Sequence, residues 1–307
     1  MNRVRKIIHT DYAYRSGLTG KNVTVAVMDT GIAPHPDFGK RIRAFADFYY
    51  GKMGLYDDNG HGTHVSGIIA GDGAVSRQTN GSAIYRGIAP EAEIVMLKVL
   101  DEKGNGSTER VLRGLEWLIK HKDLYHIRLL NISVGMLPGA GKREQRELLD
   151  AVDDVWKRGI MVVAAAGNNG PRDNTVTIPG ISRKILTVGS CDDARAEGVG
   201  KGLKSGYSSM GPTECCIVKP EILAPGTDIT SCARDGRGYL SKSGTSMAAP
   251  VVTGALALAF QKYPHFAPAE MKLRLYERAY PRGASFGKKS WGVIHVDNLV
   301  CGPVDFS

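Results

Sequence analysis

Five short apolar runs, rich in β-branched residues, recur at 22–29, 93–100, 129–134, 160–166 and 185–188. None alternates apolar with polar residues, so each reads as a strand covered on both faces rather than one. Segments with helical spacing lie between them: Val111, Leu115, Leu118 and Ile119 mark one helix, and Leu148, Leu149, Val152, Val155 and Trp156 another. Strand and helix in alternation build right-handed βαβ units. The expected fold is therefore three-layer α/β, a mostly parallel twisted sheet with helices on both faces. Such sheets bind ligands beyond the carboxyl ends of their strands. Asp29, the segment 133–136 and Asn168 all follow strand ends and should meet on one edge.

Loops are expected at 71–87, 138–142, 170–174 and 194–206. The sequence has no internal repeat and no low-complexity linker. One domain over 21–280 is expected, with a lead-in segment at 1–20 and a tail at 281–307 packed on it.

The stretch 243–260 begins with turn-forming residues and becomes almost wholly apolar, as a buried helix does. Ser246 falls at its first turn, where N–H groups lack intrahelical partners and the helix dipole is positive. Pro250 is expected to be tolerated there for the same reason. On its own the stretch leaves Ser246 as either a nucleophile or an N-cap. Three further segments bear on that choice. Asp29 ends an apolar strand, where a carboxylate needs a partner. His61 stands between Gly60 and Gly62, at the entry to an apolar helix. Asn168 ends another buried strand and offers a side-chain amide. Together they supply a nucleophile (Ser246), a general base (His61), a carboxylate to orient it (Asp29) and an oxyanion donor (Asn168).

These residues occur in the order Asp, His, Ser, within Val-Met-Asp-Thr-Gly at 27–31, Asn-Gly-His-Gly-Thr-His-Val-Ser-Gly at 59–67 and Gly-Thr-Ser-Met-Ala-Ala-Pro at 244–250. His-Pro-Asp-Phe at 35–38, Gly-Ile-Ala-Pro at 87–90, Asn-Ile-Ser-Val-Gly at 131–135, Ala-Ala-Gly-Asn at 165–168 and Leu-Ala-Pro-Gly at 223–226 complete the pattern. The chain thus resembles the subtilisin-like serine peptidases over roughly residues 10–260, and among them the intracellular bacterial members. The resemblance implies an endopeptidase that passes through an acyl-enzyme on Ser246. It also implies that Gly104, Asn105 and Gly106, with Ser133, Val134 and Gly135, pair with an extended substrate backbone. The primary-specificity pocket would be lined by 133–135 and by 165–169, Ala165 and Asn169 included, with Thr177 at its base. Threonine there makes the pocket shallow and disfavours the largest aromatic side chains. Peptides or proteins are the implied partners, and the chemistry needs no cofactor. Asp37 matches a family calcium ligand, so a structural calcium is an open expectation, although 71–86 lacks the family's Asn-rich calcium loop. The usual propeptide is not recognisable; such a chain either folds unaided or is inhibited by residues 1–20. A maturation protease dedicated to one precursor, or a catalytically silent regulatory protein on this fold, are the alternatives.

Other classes fare worse. The net charge of +9, from 40 basic and 31 acidic residues, is scattered and does not predict a nucleic-acid surface. His61 and His64 lack a third zinc ligand, and His64 is expected to be structural. Ala248 breaks the Gly-x-Ser-x-Gly elbow, and no phosphate-binding glycine loop occurs. No membrane span is expected, and the oligomeric state stays open. The five cysteines (Cys191, Cys215, Cys216, Cys232, Cys301) are odd in number and follow no metal spacing. With no apolar secretory signal, they predict reduced thiols and a cytoplasmic location.

Overall fold

The computed structural model describes residues 1–133, 135, 141–196, 205–213, 217–281 and 290–302. Two short helices, α1 (Asn2–Ile7) and α2 (Asp11–Arg15), precede β1 (Thr24–Asp29) and β2 (Ile42–Asp47). Then follow α3 (His61–Ala70), α4 (Ala74–Asn80), β3 (Glu93–Lys98), α5 (Thr108–His121), β4 (Ile127–Ile132), α6 (Lys142–Lys157), β5 (Met161–Ala165) and β6 (Leu186–Ser190). The chain continues through β7 (Ile222–Ala224), β8 (Ile229–Cys232), β9 (Tyr239–Lys242), α7 (Thr245–Lys262), α8 (Pro268–Arg278), β10 (Gly292–Val293) and α9 (Val296–Val300). Among the described residues, eight strands form one sheet in the order β10-β7-β6-β5-β4-β1-β3-β2, and every neighbouring pair is parallel.

Alternate residues of β1 feed two cores. Val25 and Val27 join α3 and α7 on one face, while Ala26 and Met28 join α5 and α6 on the other. This two-sided burial is why the strands read as unbroken apolar runs. The order reverses about β1, with β3 on one side and β4 on the other. A crevice therefore opens at the carboxyl ends of β1 and β4, and Asp29, Ser133 and Asn168 follow β1, β4 and β5.

Several expectations are corrected. The strand expected at 129–134 is Ile127–Ile132, because Ile127 is held in register by Thr24. The strands β2, β7 and β10 are too short or too mixed to have shown in the pattern. Part of the expected loop at 71–87 is helix α4, seven residues long. Pro250 is the sixth residue of α7, not in its first turn, so it removes the N–H that would bond the Ser246 carbonyl. Residues 1–20 do not plug the crevice. Arg3 bonds Asp192 at 2.7 Å, the Tyr12 and Ala13 N–H groups bond the Asp297 carboxylate, and Thr19 and Gly20 bond Gln261. These contacts tie the lead-in to α7, α9 and the loop after β6. The tail contributes β10 to the main sheet and α9 against α7. No helix among the described residues is long and apolar enough to cross a membrane.

Candidate active site

Asp29 ends β1 with no exposed surface, and its Oδ1 accepts the Thr30 N–H at 2.8 Å. His61 opens α3 and places Nδ1 2.8 Å from Asp29 Oδ1 and 3.0 Å from Oδ2. A carboxylate only accepts, so Nδ1 carries a proton, and in the neutral imidazole the lone pair is on Nε2. This approach depends on glycine: a Cβ on Gly62 would lie 2.2 Å from the Gly31 carbonyl oxygen. Asp57 anchors the start of α3. Its Oδ1 accepts from Thr30 Oγ1, Asn59 N and Gly60 N at 2.9, 3.1 and 2.7 Å. Its Oδ2 accepts from Thr63 N and Oγ1 at 2.9 and 2.7 Å. Sequence reasoning missed this role, because nothing local distinguishes Asp57 from Asp58, which pairs with buried Lys98 at 2.7 Å.

Ser246 is the second residue of α7, and its hydroxyl donates to the Ser133 carbonyl at 2.7 Å. Ser133 is in turn held by Asn131, whose Nδ2 bonds Ser133 Oγ at 2.7 Å and whose Oδ1 accepts Thr253 of α7 at 2.8 Å. Asn168 is oriented by Thr245. Its Oδ1 accepts the Thr245 N–H at 2.9 Å and the Thr245 hydroxyl at 3.0 Å. A backbone N–H can only donate, so the oxygen must face Thr245 and Nδ2 must face away. Thr245 Oγ1 also accepts the Gly167 N–H at 3.1 Å, fixing the loop. Among the described residues, no acceptor takes the Nδ2 hydrogens.

Ser246, Asn168, Ser133, Gly135, Ala165, Asn169 and Thr177 line one cavity of about 240 Å³. Thr177 packs against two of its glycines: a Cβ on Gly135 would meet Thr177 Oγ1 at 2.3 Å, and one on Gly167 would meet Cγ2 at 2.6 Å. Both walls thus need glycine because threonine fills the space between them. Gly104, Asn105 and Gly106 line a neighbouring cavity of about 270 Å³ that shares Gly135 and is backed by Leu100, Val111, Ile132 and Ile178. Val134 lies outside the described residues, as do Cys215 and Cys216.

His64 is fully buried, with Nε2 3.0 and 3.1 Å from the carbonyls of Ile229 and Leu240. Burial first, and then the nearby Lys242 charge, push its pKa down to about 3. It is a neutral structural residue. A calcium ion does not fit around Asp37. That ion takes six to eight oxygen ligands, whereas the Asp37 carboxylate accepts Gly73 N, Val75 N, the Tyr239 hydroxyl and the Cys232 thiol, with His35 beside it. Besides the Tyr239 hydroxyl, the side chains around the carboxylate are an imidazole and a thiol, not the further oxygen ligands that calcium needs.

A parallel α/β sheet that carries Asp29 against His61, with Ser246 and Asn168 bordering one cavity at its carboxyl edge, defines a serine-hydrolase class of site. Residues 20–299 match the model of the subtilase family. The chain is 41% identical to serine protease AprX of Bacillus subtilis, over 86% of this chain and 63% of that protein. It is 35% identical to the thermostable alkaline protease of Halalkalibacterium halodurans over 89% of this chain and 66% of that one. Subtilisin Savinase of Lederbergia lenta is 35% identical, with 89% of each chain covered. The crystal structure of a cold adapted subtilisin-like serine proteinase superposes with a TM-score of 0.72 at 30% identity, covering 91% of this chain and 90% of that one. The chain belongs to the subtilase family. It spans about two thirds or slightly less of the first two of these relatives.

Proposed function

We propose that the protein is a serine endopeptidase hydrolysing peptide bonds through an acyl-enzyme on Ser246. The observation that carries this is the bond from buried Asp29 to His61 Nδ1, which leaves Nε2 free to act as a base, while Ser246 borders the crevice beside Asn168. In the first step the Ser246 hydroxyl leaves the Ser133 carbonyl, its partner at rest, for His61. His61 Nε2 takes the hydroxyl proton as Oγ attacks the scissile carbonyl. The imidazolium so formed is stabilised by Asp29, and it then protonates the leaving amine. Asn168 Nδ2 and the Ser246 N–H, at the positive end of α7, hold the oxyanion. Water repeats the cycle on the acyl-enzyme. The chemistry uses protein groups alone.

The substrates are peptides or unfolded protein segments that lie extended between 104–106 and 133–135. Thr177 limits the residue before the cleaved bond to small and medium side chains. A reducing compartment suits the chain, since Cys232 and Cys301 carry free thiols.

The test is mass spectrometry after a fluorophosphonate probe, with Ser246→Ala alongside. One adduct on Ser246 and none on the variant is expected. An intact protein that takes no adduct would sink the reading and favour a silent regulatory role.

A further inference from the structure

Against α3, beside Gly67, lies a cluster that the peptidase chemistry does not use. His35, Asp37 and Cys232 are all buried, and one ligand atom from each falls within 4.8 Å of the others. We propose that they form a binding site for a zinc-class divalent cation, held by His35 Nδ1, an Asp37 oxygen and Cys232 Sγ.

The spacing suits such an ion. Cys232 Sγ lies 3.7 Å from Asp37 Oδ2, and His35 Nδ1 lies 3.7 Å from Asp37 Oδ1. Tetrahedral zinc with ordinary Zn–S, Zn–N and Zn–O bonds has ligand-to-ligand edges of about 3.3–3.6 Å. The trio therefore closes onto an ion by moving its widest separation about 1 Å. The donor chemistry also selects it. One thiol, one imidazole and one carboxylate suit a borderline-soft ion, and the single carboxylate rules out a hard oxygen cage.

His35 is already set for ligation. Its Nε2 is 3.1 Å from the Gly238 carbonyl, which must receive a proton, so Nδ1 faces Asp37 with its lone pair. An imidazole that ligates through one nitrogen and donates the other to a backbone carbonyl is the usual outer-shell arrangement of metal-bound histidine. Nδ1 now accepts the Asp37 N–H at 3.2 Å, a long bond within a two-residue turn that the ion would replace. Asp37 is held from behind as well. Tyr239 donates to its Oδ2 at 2.8 Å and itself accepts the Ser76 N–H at 2.9 Å. On binding, the cation displaces the thiol proton: Cys232–SH and M²⁺ give the thiolate complex and one H⁺, and the S–H···Asp37 contact becomes two metal bonds. Water takes the fourth position.

Access runs through a thin layer. His35 is flanked by exposed Pro34 and Pro36, and Gly238 belongs to the turn before β9, where Arg234, Asp235 and Arg237 are exposed. The ion would also touch the catalytic machinery mechanically. A Cβ on Gly67 of α3 would lie 2.7 Å from Cys232 Sγ, so the thiol packs against the helix that carries His61.

The test uses the Ser246→Ala protein, which cannot digest itself, stripped of metals by a chelator and titrated with Cd²⁺ and then Zn²⁺. The expected result is one equivalent bound, a thiolate-to-cadmium charge-transfer absorption in the ultraviolet, and a Tm raised by roughly 5 °C at a hundredfold excess over Kd. Cys232→Ser and His35→Gln should each weaken binding by at least about 100-fold, since even outer-shell losses reach that size. A Cys215→Ser/Cys216→Ser variant should bind as the parent does. No charge-transfer band at stoichiometric Cd²⁺ would overturn the proposal. So would a band that survives Cys232→Ser or His35→Gln, or one that disappears with Cys215 and Cys216. If Cys232→Ser does not fold, His35→Gln decides the matter alone.

Discussion

Asp57→Asn should cost both stability and catalysis, although Asp57 makes none of the site's chemical contacts. The carboxylate accepts five hydrogen bonds, three on Oδ1 and two on Oδ2. An amide must replace one oxygen with a donor. At Oδ1 it would face the Asn59 and Gly60 N–H groups. At Oδ2 it would face one fixed donor, Thr63 N, because the Thr63 hydroxyl can turn. The second placement is cheaper and leaves one buried N–H without a partner, worth about 1–3 kcal/mol. The remaining bonds lose their charge assistance, at about 0.5 kcal/mol each. With the three bonds left on Oδ1 the sum is about 2.5–4.5 kcal/mol, concentrated at the first turn of α3. Urea unfolding in a Ser246→Ala background measures it directly. His61 is the first residue of α3, so a displacement there of about 1 Å should slow fluorophosphonate labelling of the active parent by about 100-fold. A stability loss under about 1 kcal/mol, or labelling at the parent rate, would refute the claim that Asp57 positions the base.

Asn168→Ala should lower kcat by about 100- to 1000-fold with little change in KM, since its amide acts on the oxyanion alone; peptide-ester kinetics decide this. Thr177→Gly should raise kcat/KM for peptides with Phe or Tyr before the cleaved bond relative to Ala, and unchanged ratios would remove Thr177 from the pocket base. His64 is neutral when folded, with a pKa near 3 against the ordinary 6.5. Between those values the unfolded chain holds a proton that the folded one lacks. Stability contributed by His64 is therefore full above 6.5 and falls as pH drops toward 3, by at most about 1.4 kcal/mol per unit. His64→Gln should flatten that slope in a series of unfolding curves, and an unchanged slope would count against it.

The parts legible in the sequence were those marked by a local contrast. Asp29 and Asn168 stand at the ends of apolar strands, His61 stands between two glycines at a helix entry, and Ser246 follows Gly244-Thr245 at another. The doubly covered sheet announced itself through unbroken β-branched runs. What escaped notice depends on partners far along the chain. Asp37 meets Tyr239 and Cys232 about 200 positions away, and those partners turn a matched calcium ligand into part of a different donor set. Helix α4 is polar and short, and the bonds from its first turn to Asp37 and Tyr239 join residues distant in sequence. Thr245 looked like a neighbour of the nucleophile, yet it fixes which way the Asn168 amide faces. The strands β7 and β10 hold their places through pairing rather than composition.

Helix α7 also bears on when the molecule becomes active. From Met247 to Phe260 it is buried on every side, touching β1, β4, β5, β6 and β7 as well as α3. A helix with no polar face has no stable place outside a finished interior. Its contacts with β1 join residues more than two hundred positions apart, and contacts of such separation form late in folding. Ser246 therefore joins His61 in one site only once β1 and β4 to β7 have closed around the helix. A nascent or half-folded chain carries every catalytic residue and no catalytic site, so it passes through its most cleavable forms unable to cut its own copies.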